Sequence, residues 1–300
     1  MPNIVLEIAE NGRQLHLRRG SVAVMAGEEC LGLVPLDSLA CVLLAADGIM
    51  ISRAFMARMA EEGVPVVVCG ANYMPVSISL PTAPHYRALP VVTAQMNASP
   101  VLKKRLWQQC VIAKLRNQAA VLRLCRPESP VPDRILALSG KVRSGDADNR
   151  EAGAARLYWP ALLGADFLRD PEGDGPNAAL NYGYAILRSV CARALCGVGL
   201  LPLLGIHHRN TYNAFCLADD MMEPLRPFMD HLVFQLHADG AELVLTPHNK
   251  RLLAAILGMA FPLSGEQLSL SALVARMAQG LARSFQDGSP QWPLPDFPMP

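Results

Sequence analysis

The sequence predicts an α+β protein in two parts, a β-rich N-terminal unit over residues 1–85 and a larger helical unit over residues 86–285. Three observations carry this. The first eighty residues break into short runs of β-branched and apolar residues separated by turn signals. From about Pro100 the apolar spacing changes to helical steps. Between the two regimes Pro81, Pro84 and Pro90 punctuate the chain.

In order, "NIVLEIA" and "RQLHLRR" read as strands flanking Asn11-Gly12, a hairpin signal because a tight type I′ turn needs positive φ at both central positions. "SVAVMA", "CLGLVPL" and "LACVLLA" continue as strands. Ser52 caps a helix, "RAFMARMAEEG", that Gly63 ends. "VPVVVCG" and "MPVSISL" return to strand across a "GANY" turn. "VLKKRLWQQCVIAKLRNQAAVLRLC" then places Leu102, Leu106, Cys110, Ala113 and Ala120 at helical steps, and the pattern stays helical to about Phe285. The tail 286–300, "GSPQWPLPDFPMP" from Gly288, has too many prolines for a helix or central strand and is expected to be extended or disordered.

Three hundred residues, half of them apolar and 18% charged, describe a globular chain with a sizeable core. "MPNIVLEIAE" lacks the basic start of a signal peptide. The apolar stretch Ala194–Ile206 is shorter than the ~20 residues of a membrane span and is interrupted by Gly197, Gly199 and Pro202. No membrane association is expected. The eight cysteines show no CxxC pair, which favours reduced core thiols in a cytoplasmic protein over a disulfide framework or a zinc site. Net charge is only +1, but residues 101–160 hold twelve basic residues against five acids. Such a stripe suits a polyanion, and a solvated helix face equally well.

The chemistry concentrates in "GIHHRNTYNAFCLADDMMEPLRPFMD", residues 205–230. Leu217, Met221, Leu225, Phe228 and Leu232 give an amphipathic helix on which Asp219, Asp220 and Glu223 crowd together. Like charges three and four apart cost a few tenths of a kcal/mol per pair, so an ordinary acidic surface is the simplest reading. Pro224 and Pro227 argue against it, because they deprive the carbonyls of Asp220 and Glu223 of helical partners. With His207 and His208 close by, a hard oxygen–nitrogen metal site becomes plausible, since a divalent ion turns the repulsion into attraction. Further upstream, Asp148 and Glu151 have the spacing of a capping box, and the local evidence favours that role for Glu151.

"NREAGAARLYWPALLGADF", "NAALNYGYAILRS" and "LLPLLGIHHRNTYNAFCLADDMMEPLRPFMD", in this order behind a β-rich start, resemble the CRISPR adaptation integrases, the Cas1 family, and most of all its type II branch, group II-C. The resemblance runs across nearly the whole chain. It implies a β-sandwich-like N-terminal domain, used for dimerisation and partner contact, ahead of a helical catalytic domain. It also implies a Mg²⁺ or Mn²⁺ site held by Glu151, His208 and Glu223, with Asp220 and His207 as residues that orient or replace a ligand. The activity implied is metal-dependent cutting and joining of double-stranded DNA, in which 3′-hydroxyls attack phosphodiesters at the repeat array. Lys103, Lys104, Arg105, Lys114, Arg116, Arg150 and Arg156 would then contact DNA. The implied partners are a second copy of the chain and the small protein Cas2, two dimers being bridged by a Cas2 dimer, together with the RNA-guided effector nuclease. The alternatives are a metal-dependent repair nuclease without integration and a DNA-binding scaffold with no catalysis. A zinc hydrolase on His207 and His208 ranks last, for want of an HExxH spacing.

Overall fold

The computed structural model describes residues 4–70, 75–79, 88–238, 243–263 and 265–298. The expected "GANY" turn, and Pro81 and Pro84, lie outside the described residues.

Two four-stranded sheets form the N-terminal part. The strands are β1 (Ile4–Ile8), β2 (Arg13–Arg18), β3 (Ser21–Ala26), β4 (Glu29–Pro35), β5 (Leu39–Leu44), β6 (Met50–Ile51), β7 (Val66–Cys69) and β8 (Pro75–Ser79). One sheet has the order β1-β5-β7-β8 and the other β4-β3-β2-β6. A helix, α1 (Arg53–Glu61), is capped by Ser52, whose side chain accepts from the Phe55 N–H, and Gly63 follows it with φ +64°. Ile8, Val42, Leu44 and Val66 of the first sheet meet Leu15 and Val22 of the second, with Phe55 and Met59 of α1, in one buried core.

Asn11-Gly12 is not the hairpin turn that its sequence suggests. β1 pairs in parallel with β5, whereas β2 pairs antiparallel with β3, so the chain changes sheet at this point. The Asn11 side chain and the Gly12 amide bind the Gly48 backbone instead, pinning the corner. The tight hairpin lies at Arg19-Gly20, where both residues have positive φ (44° and 77°), joining β2 to β3.

The run "LACVLLA" is apolar throughout because β5 is covered on both faces. Val42 and Leu44 point into the core between the sheets, while Cys41 and Leu43 join the core of the helical part. The boundary is therefore a shared wall. Lys250 Nζ reaches Glu7 Oε1 at 2.6 Å across it, and the Tyr182 hydroxyl donates to Glu7 Oε2 at 3.2 Å.

The helices are α2 (Ala88–Met96), α3 (Pro100–Cys125), α4 (Val131–Ser139), α5 (Arg150–Leu163), α6 (Pro176–Gly197), α7 (Cys216–Met222), α8 (Arg226–Ala238), α9 (Pro247–Ala254) and α10 (Leu270–Asp287). α3 opens with Ser99 as cap and Pro100 in its first turn. α6 is buried nearly all round and forms the centre of this part.

The expectation of an all-helical C-terminal unit is corrected at two places. Residues 198–215 form no helix, because Gly197, Gly199, Pro202 and Gly205 break it. Ala260–Leu263 (β9) and Glu266–Ser269 (β10) form an antiparallel pair, with Pro262 unable to serve a helix and Gly265 at φ +85° in the turn.

The tail is extended, without regular structure through Pro298, but it is packed: Trp292 and Phe297 are buried, and Phe297 meets the rings of Phe228 and His231. All eight cysteines are free, and only Cys30 is exposed. No helix among the described residues is long and apolar enough to cross a membrane.

Candidate functional site

The three crowded acids are all buried, so the water-facing reading fails. Each is committed to different partners, which is how the fold tolerates their proximity. Asp219 accepts from Arg188 Nε at 2.7 Å and from Asn213 Nδ2 at 2.6 Å. Asp220 accepts backbone N–H bonds from Ile206, His207 and His208 at 2.6, 3.0 and 3.2 Å. Its Oδ1 also stands 2.6 Å from His208 Nδ1. Glu223 faces two cations, with Lys114 Nζ 2.6 Å from Oε2 and Arg226 Nε 2.9 Å from Oε1.

The prolines act as their chemistry requires. α7 tightens into a 3-10 turn over Glu223–Leu225, in which the Glu223 carbonyl accepts from the Arg226 N–H three residues on. The orphaned Asp220 carbonyl is met by the Cys110 thiol at 3.3 Å.

Glu151 arrives from the first turn of α5. Asp148 is not its capping partner. Asp148 instead forms ion pairs with Arg143 and Arg150, while Asp146 accepts the backbone N–H bonds of Arg150 and Glu151 at 2.9 and 3.0 Å, and Asn149 accepts that of Ala152. Freed from capping, the Glu151 side chain turns to Lys114, with Nζ at 2.5 Å from Oε1.

One stripe of α3 therefore forms the floor of the site. Lys103, Trp107, Cys110, Lys114 and Asn117 recur at steps of four, three, four and three. Trp107 stacks on His207 with ring centroids 4.1 Å apart and meets the His208 ring edge-on at 5.7 Å. Lys103 and His208 line one cleft of about 600 Å³ with Gly205, Arg209 and Tyr212. A second pocket of about 200 Å³ opens at Arg226, lined also by Arg169, Arg188 and Tyr184.

The electrostatics follow from these contacts. Burial would raise the Glu223 carboxyl, but Arg226 and Lys114 outweigh it and hold the group at about 2. Burial works against the Lys114 ammonium, yet Glu223 and Glu151 raise it above its ordinary range. The hydrogen bond to Asp220 raises His208 against the opposing effect of burial. Asp220, already accepting three backbone N–H bonds, acts as acceptor for Nδ1–H, which leaves Nε2 of His208 as the ring's free lone pair.

The residues named from the sequence thus separate. Glu151 and Glu223 converge on one ammonium, while His208 is oriented by Asp220 and helps to lower the Glu223 carboxyl electrostatically. His207 is taken up by its stack on Trp107. The Lys114 side chain is largely buried and is paired with two carboxylates. Lys104, Arg105, Arg116 and Arg156 are exposed, and Lys103 and Arg150 partly so. Sequence reasoning missed Lys114 as the bridge, Arg226 as the second cation, and Trp107. The step pattern from Lys103 to Asn117 was the available signal.

Two carboxylates gathered on one shared cation are oxygen donors that suit a hard divalent ion, and the imidazole oriented by Asp220 is a donor of the right type. Among the described residues, no three His, Cys, Asp or Glu side chains are close enough to hold one ion as they stand. The place between the two carboxylates is taken by Lys114.

The fold joins two paired sheets to a helical part, and its candidate site sets the buried Glu223 and the partly exposed Glu151 and His208 among cationic side chains. Residues 6–242 match the family model of CRISPR associated protein Cas1. The chain is 37% identical over 282 residues to a CRISPR-associated endonuclease Cas1 of Neisseria meningitidis serogroup C, covering 94% of this chain and 90% of that one. The chain therefore belongs to the Cas1 family. Its fold is similar to that of a casposase bound to integration product, with TM-score 0.80 and 21% identity over 96% of this chain and 91% of the other. It is also similar to a chain of a Cas6-RT-Cas1–Cas2 complex, with TM-score 0.77 and 18% identity over 97% of this chain and 36% of the other.

Proposed function

We propose that this protein is a divalent-metal-dependent DNA endonuclease and integrase of CRISPR adaptation, working with Mg²⁺ or Mn²⁺ through Glu151, Glu223 and His208. The observation that carries the reading is the meeting of Glu151 and Glu223, from separate parts of the chain, on a single cationic position, with His208 fixed separately by Asp220. The ion, when bound, supplies Lewis acidity at the scissile phosphate and eases deprotonation of the attacking hydroxyl.

The chain's own residues do the rest. Glu151 and Glu223 hold the charge, and Arg226 keeps Glu223 ionised inside the protein. Asp220 holds His208 so that Nε2 is presented as a ligand or proton acceptor. The arginine-lined pocket beside Arg226 and the exposed Lys104, Arg105, Arg116 and Arg156 supply cations for neighbouring phosphates, giving affinity without sequence selection.

In the joining reaction a 3′-hydroxyl of a short duplex forms a new P–O bond and the 3′-oxygen of the repeat strand leaves. With water as nucleophile the same site cuts. Two joins on opposite strands call for two active sites, so the working form is a pair of dimers of this chain bridged by a Cas2 dimer in the cytoplasm, supplied with fragments with the help of the effector nuclease. The similar fold of a chain from a Cas6-RT-Cas1–Cas2 complex supports Cas2 as the partner.

The test is strand transfer. Purified protein and Cas2 are mixed with a labelled duplex and a supercoiled plasmid carrying a repeat, with Mg²⁺ or Mn²⁺ and then with EDTA. Metal-dependent joining that Glu223→Ala abolishes is the expected result. Nicking without joining would favour a repair nuclease. Activity equal in both proteins would place the chemistry away from Glu223.

A further inference from the structure

The position of Lys114 is unusual for a lysine. Its side chain is 13% exposed, well below what a solvated ammonium enjoys, and it is directed to two carboxylates on different helices. An ammonium is a compact point charge with three donors, and two of these are engaged at 2.5 and 2.6 Å. Glu223 is 4% exposed, and without cations it would stand as an uncompensated buried charge beside Glu151. Arg226 relieves only Glu223, whereas Lys114 is the cation that serves both. The place between the carboxylates is the one that a shared divalent ion also requires.

We propose that Lys114 is an internal counter-ion of the active site, holding Glu151 and Glu223 together and giving up its position between them when a divalent ion binds. This rests on the metal site proposed above and deepens it. Its consequence is a competition: one protein cation and one divalent ion seek the same two carboxylates, so the lysine weakens metal affinity while stabilising the protein that has no metal. The same exchange frees an ammonium at the site only when metal is present. The role is one of positioning, and it differs from the DNA contact that the basic stripe suggests.

The experiment compares wild type, Lys114→Met, Lys114→Arg and Glu223→Gln for Mn²⁺ affinity by calorimetry and for thermal unfolding with and without Mn²⁺. Methionine keeps the length and apolar stem of lysine without its charge. The expected result is a lower melting temperature for Lys114→Met without metal, a Mn²⁺ Kd tighter by about tenfold, and a larger Mn²⁺-induced rise in melting temperature than in wild type. Lys114→Arg, which keeps the charge, should bind Mn²⁺ no more tightly than wild type. Unchanged or weaker Mn²⁺ binding by Lys114→Met, with wild-type binding that Glu223→Gln weakens, would overturn the counter-ion proposal alone. Absence of Mn²⁺ binding by wild type would overturn the metal site itself. Should Lys114→Met fail to fold, lysine-labelled wild type gives the answer by NMR. The Lys114 ε-methylene signal, assigned with Lys114→Arg, should shift on adding Mg²⁺, and a signal that stays in place through saturation would refute the exchange.

Discussion

His208 Nδ1 stands 2.6 Å from Asp220 Oδ1, and the same carboxylate accepts the backbone N–H of His208. One buried side chain thus fixes both the ring and the loop that carries it. An amide at position 220 would turn an N–H₂ group either toward the N–H groups of Ile206 and His207 or toward the His208 N–H and Nδ1, so at least one backbone contact is lost however it flips. Asp220→Asn should reduce strand transfer about 10- to 100-fold, the usual effect of removing a residue that orients a metal-binding histidine. Kinetics at saturating Mn²⁺, with circular dichroism to confirm the fold, measure it. Near-wild-type rates would show that Asp220 only holds the loop.

Gly205 allows that loop to approach. A Cβ there would lie 2.4 Å from the His208 carbonyl oxygen and 3.0 Å from Asp220 Oδ2, closer than real contacts permit. The backbone must move, because the nearer atom is not a flexible side chain. We expect Gly205→Ala to lower strand transfer at least tenfold while Mn²⁺-independent DNA binding is kept. Full activity in Gly205→Ala would mean that the loop relaxes without disturbing His208.

The salt dependence of DNA binding separates the basic residues of α3. Arg105 and Arg116 are exposed and eleven residues apart, three helical turns, so they share a face. Lys114 lies on the inner stripe. Each phosphate contact contributes about 0.9 to the slope of log affinity against log salt. Arg105→Ala with Arg116→Ala should flatten the slope by about 1 to 2, and Lys114→Met should leave it unchanged. A slope that moves only with Lys114 would reverse the assignment.

These residues also show what the sequence could reveal. The periodicity of α3 and the clustering of Asp219, Asp220 and Glu223 are local patterns, and both were legible. So was the misfit of Pro224 and Pro227 in a helix. Asn11-Gly12 misled because turn chemistry reports backbone conformation, not which strand the chain will pair with next. Gly12 does take φ +74°, but the chain leaves for another sheet. The convergence of Glu151 and Glu223 on Lys114 depends on three helices packing together, which no spacing along the chain encodes. The capping pattern around Glu151 pointed to the wrong partner, since Asp146 and Asn149 take up the backbone donors that Asp148 was expected to serve.

Asp230 gives a pH dependence of stability. It is buried, accepts from Tyr158 at 3.0 Å and from Tyr184, and is pushed up to about 7, with burial as the main cause and the tyrosine hydrogen bonds opposing it. In the unfolded chain an aspartate titrates near ~3.9. Between these values the folded protein holds the extra proton. Its contribution is fully present below about 4 and is lost as pH rises toward about 7, amounting to a few kcal/mol. Asp230→Asn, which cannot ionise, should therefore gain stability relative to wild type between pH 5 and pH 8. Urea unfolding at both pH values tests this, and parallel curves for the two proteins would exclude Asp230 as the titrating group.

The C-terminal tail is coupled to the acidic segment through Asn117. Its Nδ2 donates to the carbonyls of Pro224 and Pro295 at 2.8 and 3.0 Å, and its Oδ1 accepts from the Phe297 N–H at 2.8 Å. The residue after Glu223 is thus held by the same amide that seats the tail. Gly280 of α10 lets the tail lie close, since a Cβ there would meet Pro293 Cδ at 2.1 Å. Asn117→Ala would leave buried backbone groups unpaired, at about 2–4 kcal/mol in total. Ending the chain after Gly288 should cost more, since Trp292 and Phe297 leave the core and each such loss costs about 3–5 kcal/mol. Because both changes break the same contacts, the double variant should lose clearly less than the sum of the two. Chemical denaturation of the four proteins measures the coupling. Additive losses would show that the tail and Asn117 act independently, with the Pro224 contact alone accounting for the asparagine.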